Sequence, residues 1–336
     1  MNYVSIGDLA QTFQTRCQTF QVKTELQRLS LELSTGRKTD ISTKSTGDFS
    51  PIVGIERAIR ATTAYETPLA ETNLLAQSMQ SAYATMQTHS DEMSGGLLTA
   101  GNSQNSTMID AAAVDGETRF TAIVALFNTR VADRYAFAGT ATDAPALADA
   151  ATILADLNVA ITGLTTAADV ETAVDAWFDT PGGGFDTVAY VGSPNALGPI
   201  RVSEHDTVDL SITASDDSAR AALKGFAIAA LVSQGALQAD IVERAALTKR
   251  AGEVILTAQS DIANVRAVIG SAEARMHEVE LASSAELFSL ESARLEIVAA
   301  DPYETALQLE AVRVQLETVF SMTARLSRLS LMEYLR

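Results

Sequence analysis

The sequence predicts a mainly α protein: an elongated antiparallel bundle of long helices, with a small α+β insert domain at the end away from the chain termini. Hydrophobic residues make up 47% of the 336 residues and aromatic ones only 6%, a composition typical of helical proteins. Apolar residues recur at helical spacing over most of the chain. One acidic segment near the middle interrupts this spacing and shows the alternation of strands.

The first predicted element is an amphipathic helix within residues 1–45. Phe13, Cys17 and Phe20 lie at i, i+4 and i+7. Further apolar residues continue the helical spacing before a helix stop at Ser34-Thr35-Gly36. They are Val22, Leu26, Leu29 and Leu33. A single cysteine cannot form a disulfide within the chain, so we expect Cys17 to be a small buried apolar residue.

Residues 46–140 are predicted to form the first half of a long-helix core. Apolar residues at helical spacing indicate one or two helices over 52–100 and another from about Met108 to Arg134. We expect Gly95-Gly96 and the polar stretch 101–106 to break the first run. Three methionines in it are expected to pack in the core rather than form a binding surface. They are Met79, Met86 and Met93.

Residues 141–218 form the predicted α+β insert. They contain thirteen acidic residues and one base, Arg201, so they carry −12 of the net charge of −18. Strands are predicted at 188–190 and 208–212, where apolar residues alternate. Two explanations of the acidity stay open: solubility of a projecting domain, or a specific binding role.

The second half of the chain mirrors the first. Helical spacing resumes near Ala219 and continues to about Ala299, which makes 219–300 the returning half of the core. Asp301-Pro302 is a helix break, and 301–336 is a second amphipathic helix. Its apolar seam is interrupted only by Thr323 and consists of Leu309, Val312, Leu316, Val319 and Leu326. The two end helices either pair within one chain or form an assembly surface.

Charge and composition exclude several classes of function. A net charge of −18 argues against nucleic acid or an anionic membrane as partner. No stretch approaches the roughly 18 apolar residues of a membrane span. Residues 1–5 lack the features of a general secretory signal, so we expect any export to use another route.

No catalytic, cofactor or metal site is predicted, and the chain is not expected to be an enzyme. His89, His205 and His277 have no second ligand at metal-binding spacing. Glu204-His205-Asp206 is better explained as a solvated loop than as a metal site. Residues 182–184, three glycines, lack the context of a phosphate-binding loop.

Two stretches resemble the flagellin-like axial proteins of the bacterial flagellum. Leu33-Ser34-Thr35-Gly36-Arg37-Lys38 is similar to the Leu-Ser-Thr-Gly-basic signature near the amino end of flagellins. Residues 293–298 and Asp301-Pro302-Tyr303-Glu304-Thr305 resemble the family's approach to its terminal helix. With the segments described next, the resemblance covers about half of the chain.

Two further segments resemble the members at the hook-filament junction more than the filament subunit. Arg134–Pro145 is similar to a Tyr-x-Phe-(Ala/Gly)-Gly-Thr-x-Thr-Asp-x-Pro segment where the core helices give way to the outer domain. Leu326–Leu335 is similar to a Leu-Ser-Leu-Phe-Asp-Tyr-Leu ending, whereas flagellins usually stop near Leu-Ser-Leu-Leu. In departures from these patterns, residues 38–41 replace an Asn-rich continuation and Met332-Glu333 replaces Phe-Asp.

The resemblance implies a structural axial protein that polymerises through both terminal helices, which are disordered in the free monomer. The implied partners are further copies of the chain, a hook-side hook-associated protein of the FlgK type, flagellin, and the flagellar type III export apparatus with its chaperone. The implied location is the extracellular flagellum, reached without a cleaved signal peptide. The implied assembly residues are Phe13, Phe20, Leu26, Leu29, Leu33, Leu309, Val312, Leu316, Val319, Leu326, Leu329, Leu331 and Leu335.

Two other functions stay open at this point. The nearest is flagellin itself, the filament subunit. The other is a secreted helical adhesin or interaction protein that uses its bundle only for folding.

Overall fold

The structure is a computed structural model that describes residues 6–39 and 49–334, and it confirms a mainly α protein. The helices are α1 (Ile6–Thr35), α2 (Ser50–Ala64), α3 (Glu66–Ser103), α4 (Ser106–Phe127), α5 (Ala150–Ala160), α6 (Ala167–Asp179), α7 (Asp217–Ser233), α8 (Ile241–Val298) and α9 (Pro302–Tyr334). The strands are β1 (Arg130–Val131), β2 (Arg134–Tyr135), β3 (Ile200–Arg201) and β4 (Thr207–Val208). They form two antiparallel pairs, β1 with β2 and β3 with β4.

The chain divides into two compact units. The first unit comprises Met1–Ala61 and Ala285–Arg336, and the second comprises Thr62–Ser284. The first therefore contains α1, α9, most of α2 and the last turns of α8. The finer domain boundaries expected at 45, 140, 218 and 300 stay predictions.

Helix ends follow capping chemistry that is visible in the sequence. α1 ends at Thr35, and Gly36 follows at φ +68°, a left-handed conformation that glycine adopts without strain. α9 begins at Pro302, and the Asp301 carboxylate accepts hydrogen bonds from two backbone N–H groups of its first turn. The predicted stop at residues 34–36 and the predicted break at Asp301-Pro302 are therefore confirmed.

The core of the second unit is centred on α4 and α7. Residues 226–232 of α7 are all buried, and Phe120 and Ile123 of α4 are completely covered. Gly116 allows the close approach of these helices, because a Cβ there would lie 2.6 Å from the Cβ of Ala229. The methionines expected in the core are also buried, at Met79, Met86 and Met93.

The structure corrects two expectations about where helices break. α3 continues through Gly95 and Gly96 and ends only at Ser103. The glycine pair costs roughly 1–2 kcal/mol relative to alanine, and burial of residues on either side, among them Leu97, outweighs that cost. The run expected from Ala219 to Ala299 is instead divided by residues 234–240, where Gly235 turns the chain at φ +98°.

Residues 141–218 contain less strand than predicted. Of the expected strand around 188–190, the first two residues lie in a π-helical turn over Phe185–Ala189, and only Tyr190 forms an antiparallel bridge, with Leu147. The ring of Phe185 packs near the rings of Trp177 and Phe178. The helical turn buries Phe185 and also Ala189, the residues at its two ends. Of the alternating run 208–212, only Val208 lies in a strand. The Asp209 carboxylate then accepts the backbone N–H of residue 211, a local bond that competes with strand pairing.

The acidic residues of this segment pair with basic residues of α7 and α8. Arg220 Nη2 donates to Asp186 Oδ1 over 2.7 Å, and Lys224 Nζ donates to Asp175 Oδ1 over 2.9 Å. Further ion pairs are Lys224–Asp179, Arg250–Glu171 and Arg275–Asp206. Helices that follow the segment in sequence therefore balance part of its negative charge.

Two matched glycine substitutions test the packing of α4. We expect Gly116→Ala to lower the free energy of unfolding by about 1–3 kcal/mol, because the new methyl group overlaps the side chain of Ala229. Gly96→Ala, at an open position of α3, should raise it by about 0.5–1 kcal/mol. Denaturant unfolding of both variants measures the two changes, and a Gly116→Ala protein as stable as the parent would contradict the close approach.

Candidate assembly surface

The terminal helices α1 and α9 pack against each other within the first unit along a heptad seam. On each helix the buried or half-buried apolar and threonine side chains recur in alternating steps of four and three. They are Thr15, Thr19, Val22, Leu26 and Leu29 on α1, and Thr305, Leu309, Val312, Leu316 and Val319 on α9. This spacing is that of coiled-coil a and d positions. Six of the predicted assembly residues lie in this seam.

The two helices run antiparallel, as contacts at two places along the pair show. Lys23 Nζ lies 5.6 Å from the centroid of the Phe320 ring, a cation–π distance. At the other end, Ala300 N–H donates to the carbonyl of Gly36 over 3.0 Å, and Lys38 N–H donates to the carbonyl of Val298 over 2.8 Å. We call this pairing of residues 36–38 with 298–300 the backbone clasp. It uses the glycine and the basic residues of the Leu-Ser-Thr-Gly-basic signature.

A buried carboxylate supports the end of α1 next to the clasp. Glu32 is only 3% exposed. Its Oε1 accepts a hydrogen bond from Arg28 Nη1 over 2.6 Å and another from the backbone N–H of Thr39 over 2.8 Å. Arg28 also donates to Glu25, and this hydrogen bond lowers the pKa of Glu25 and raises the pKa of Arg28. The network therefore links the last turns of α1 to the chain just beyond it.

Three predicted residues of α1 lie outside the seam. Phe13 and Phe20 are 71% and 72% exposed, and Leu33 is also exposed. Cys17 is exposed as well, which corrects the expectation of a buried apolar residue. It lies two residues from both Thr15 and Thr19, and a step of two turns the helix by about 200°, so its side chain points away from the seam.

The structure describes the side chains of α9 as far as Arg325. Leu326, Leu329 and Leu331 belong to the helix, but their side-chain environment is not described, and Leu335 lies outside the described residues. Their assignment to the assembly surface stays a prediction.

Further large apolar side chains of the first unit face solvent. Exposed pairs at seven-residue spacing occur on three helices: Phe13 and Phe20 on α1, Phe288 and Leu295 on α8, and Leu307 and Val314 on α9. Several exposed apolar residues on neighbouring turns are a feature of interaction surfaces. Each of these helices therefore keeps apolar residues that the described parts of the chain leave uncovered.

Sequence reasoning missed the polar members of the seam. Thr15, Thr19 and Thr305 occupy heptad positions, and Glu32 is buried, although none is apolar. Extending the four-three alternation beyond Val22 towards the amino end would have found the two threonines. No sequence signal indicated Glu32, because its burial depends on the fold of residues 36–39.

The Arg134–Pro145 segment is built around a buried aromatic cluster in the second unit. The ring of Phe137 lies 5.2 Å from that of Phe127 and 6.0 Å from that of Tyr83, both in edge-to-face arrangements. Gly139 follows at φ +62°, and a Cβ there would lie 2.4 Å from the carbonyl oxygen of Asn195. The aromatic and glycine positions of this motif therefore fix the path from the core helices into the insert.

Charge is divided unequally between the units. The first unit contains 13 basic and 14 acidic residues, a net charge of −1, so the second carries −17 of the total −18. Two copies of the chain therefore repel each other mainly through their second units. The unit that holds both terminal helices is nearly neutral.

The described residues contain no group of three or more His, Cys, Asp or Glu side chains placed to hold a metal ion. Across 6–39 and 49–334, no helix is both long and apolar enough to cross a membrane. His89 lies 3.1 Å from Arg119 Nη1, and its burial, together with that cation, lowers its pKa. His89 is therefore neutral near pH 7.

Comparison with known proteins points to one family for the end of the chain. Residues 253–335 match a family model described as the bacterial flagellin C-terminal helical region. The solved structure of a candidate flagellar hook-associated protein from Vibrio parahaemolyticus is 14% identical, covers 73% of this chain and 99% of its own, and has a TM-score of 0.41. No curated protein sequence matched this chain. The family match supports a flagellin-like C-terminal region and a structural rather than an enzymatic protein.

Substitutions on opposite sides of α1 test the seam. Leu29 is 1% exposed, so Leu29→Ala should weaken the pairing of α1 with α9 by about 2–5 kcal/mol. Phe13→Ala removes an exposed ring and should change it by no more than about 0.5 kcal/mol. The rate of tryptic cleavage at Lys23 and Arg28 measures both effects. Equal cleavage rates for the two variants would contradict the seam.

Proposed function

We propose that this chain is a structural axial component of the bacterial flagellum, and that it forms the junction between hook and filament by polymerising through its terminal helices. The match of residues 253–335 to the flagellin C-terminal helical region carries the proposal. That region contains α9 and its seam residues. A subunit of a polymer needs no catalytic centre, and the matched family is one of structural proteins rather than enzymes.

The packing of the first unit supports assembly through the terminal helices. The seam between α1 and α9 covers one side of each helix, whereas Phe13, Phe20 and Val314 remain exposed. Contact with neighbouring copies would bury these side chains and supply the free energy that a two-helix contact lacks. The near-neutral charge of this unit removes the main electrostatic obstacle to such contact.

The finer assignment rests on two segments that resemble hook-associated protein 3, also called FlgL. They are Arg134–Pro145 and the ending Leu326–Leu335. In this assignment the partners are other copies of the chain, a FlgK-type hook-associated protein on the hook side and flagellin on the filament side. The chain is exported by the flagellar type III apparatus, with a chaperone, to the extracellular flagellum.

Flagellin, the filament subunit, is the second candidate. The observation that favours it is the family match itself, which is to a region of flagellins. The two candidates differ in where the protein sits and in how many copies each flagellum holds.

Immunogold electron microscopy of whole flagella separates these functions. A junction protein should be labelled at a single point where the hook meets the filament. Deletion of its gene should leave cells that secrete flagellin into the medium but carry no filaments. Label along the whole filament would support flagellin instead, and label absent from flagella would contradict both proposals.

A further inference from the structure

We infer that the exposed side of α1 binds the last turns of α8 on a neighbouring copy of the chain. The inference rests on the proposed function, because it names the partner surface used in assembly. The contact consists of two matched rows of residues. The α1 row is Phe13, Arg16 and Phe20, and the α8 row is Phe288, Glu291 and Leu295.

The two rows have the same geometry. Each places an apolar residue, a charged residue and an apolar residue at i, i+3 and i+7, which lie on one face of a helix. The four apolar side chains are exposed by 71%, 72%, 76% and 48% in the order Phe13, Phe20, Phe288 and Leu295. The other described residues leave both rows uncovered, and on α1 the seam with α9 lies on the other side of the helix.

The charges around the two rows are complementary. Residues 10–24 of α1 contain Arg16 and Lys23 and no acidic residue, a net charge of +2. Residues 285–298 of α8 contain three glutamates and Arg294, a net charge of −2. Contact of α1 with α1, or of α8 with α8, would bring like charges together, so the charges favour contact between the unlike rows.

Both central charges are available to a partner. Among the described residues no acidic group lies within ion-pair distance of Arg16, and Glu291 has only Arg294 at 3.9 Å on its own helix. Each charge lies between two apolar residues. Arg16 therefore meets Glu291 whether the helices run parallel or antiparallel, and the flanking apolar residues cover the pair in either case.

The contact is heterologous, because it joins two different surfaces of identical chains. Heterologous contacts repeat from one copy to the next and build rings or helical arrays rather than closed dimers. This contact can therefore extend an assembly around or along an axis, while the seam between α1 and α9 stays within each copy.

Disulfide cross-linking tests the contact directly, because Cys17 is the single cysteine of the chain. Cys17 is next to Arg16, and the exposed Ser292 is next to Glu291. We would mix parent chains with Cys17→Ser, Ser292→Cys chains, concentrate them and oxidise mildly. The expected product is a dimer that joins one chain of each kind.

The control replaces the second chain by Cys17→Ser, Thr99→Cys, which carries its cysteine at an exposed position of α3. It should give no more cross-linking than background. Loss of the mixed dimer, or an equal yield with the Thr99 control, would overturn the inference. Dimers of parent chains alone at the same yield would also overturn it, because they would indicate contact of α1 with α1.

Charge reversal provides an independent test. Arg16→Glu and Glu291→Arg should each raise the protein concentration needed for assembly by about tenfold or more. The double variant, which exchanges the two charges, should assemble at nearly the parent concentration. Arg201→Glu, an exposed change on β3 in the second unit, is the matched control and should have little effect. A double variant no better than either single variant would contradict the pairing.

Failure of the proposed function would be seen separately. Absence of the protein from flagella would overturn the flagellar role and leave the cross-linking result unchanged. Flagellar labelling without the mixed disulfide would support the function and overturn this contact.

Discussion

The antiparallel seam between α1 and α9 is the contact on which the arrangement of the first unit depends. It brings two helices that are distant in sequence together in one register, and the backbone clasp joins the end of one to the start of the other. The seam is shallow, however. Of its apolar residues only Val22 and Leu29 are buried, whereas α7 has eight consecutive buried residues, 225–232. Two helices in contact leave most of their surface in water, so further contact adds to their stability.

Because the seam is shallow, both the apolar residues outside it and the net charge of the first unit affect contact between copies. One partner helix is enough to cover a helix that has a single apolar side, whereas α1 has a second set of apolar residues on the side opposite the seam. A strongly charged unit would oppose contact between copies, but the net charge of the first unit is only −1. The acidic second unit keeps −17, and part of this charge is paired within the unit by Arg220 and Lys224. The near-neutral and the strongly acidic surfaces thus belong to different units of the chain.

Much of the fold could be predicted from the sequence, because heptad spacing and helix-stop residues act locally. The seam of α9, the stop at Gly36 and the break at Asp301-Pro302 all follow from neighbouring residues. The predictions of a helix break and of a buried cysteine were wrong, because tertiary contacts override local preference at those positions. Gly95 and Gly96 stay helical because buried neighbours hold α3 in place, and Cys17 is exposed because threonines occupy the seam positions on either side.

Hydrogen exchange of the free and the assembled chain tests whether α1 and α9 form a shallow pair that neighbouring copies complete. We expect the backbone amides of both helices to exchange much faster in the monomer than those of α4 and α7, and assembly to slow their exchange by orders of magnitude. Slow exchange of α1 and α9 in the monomer, unchanged on assembly, would contradict it.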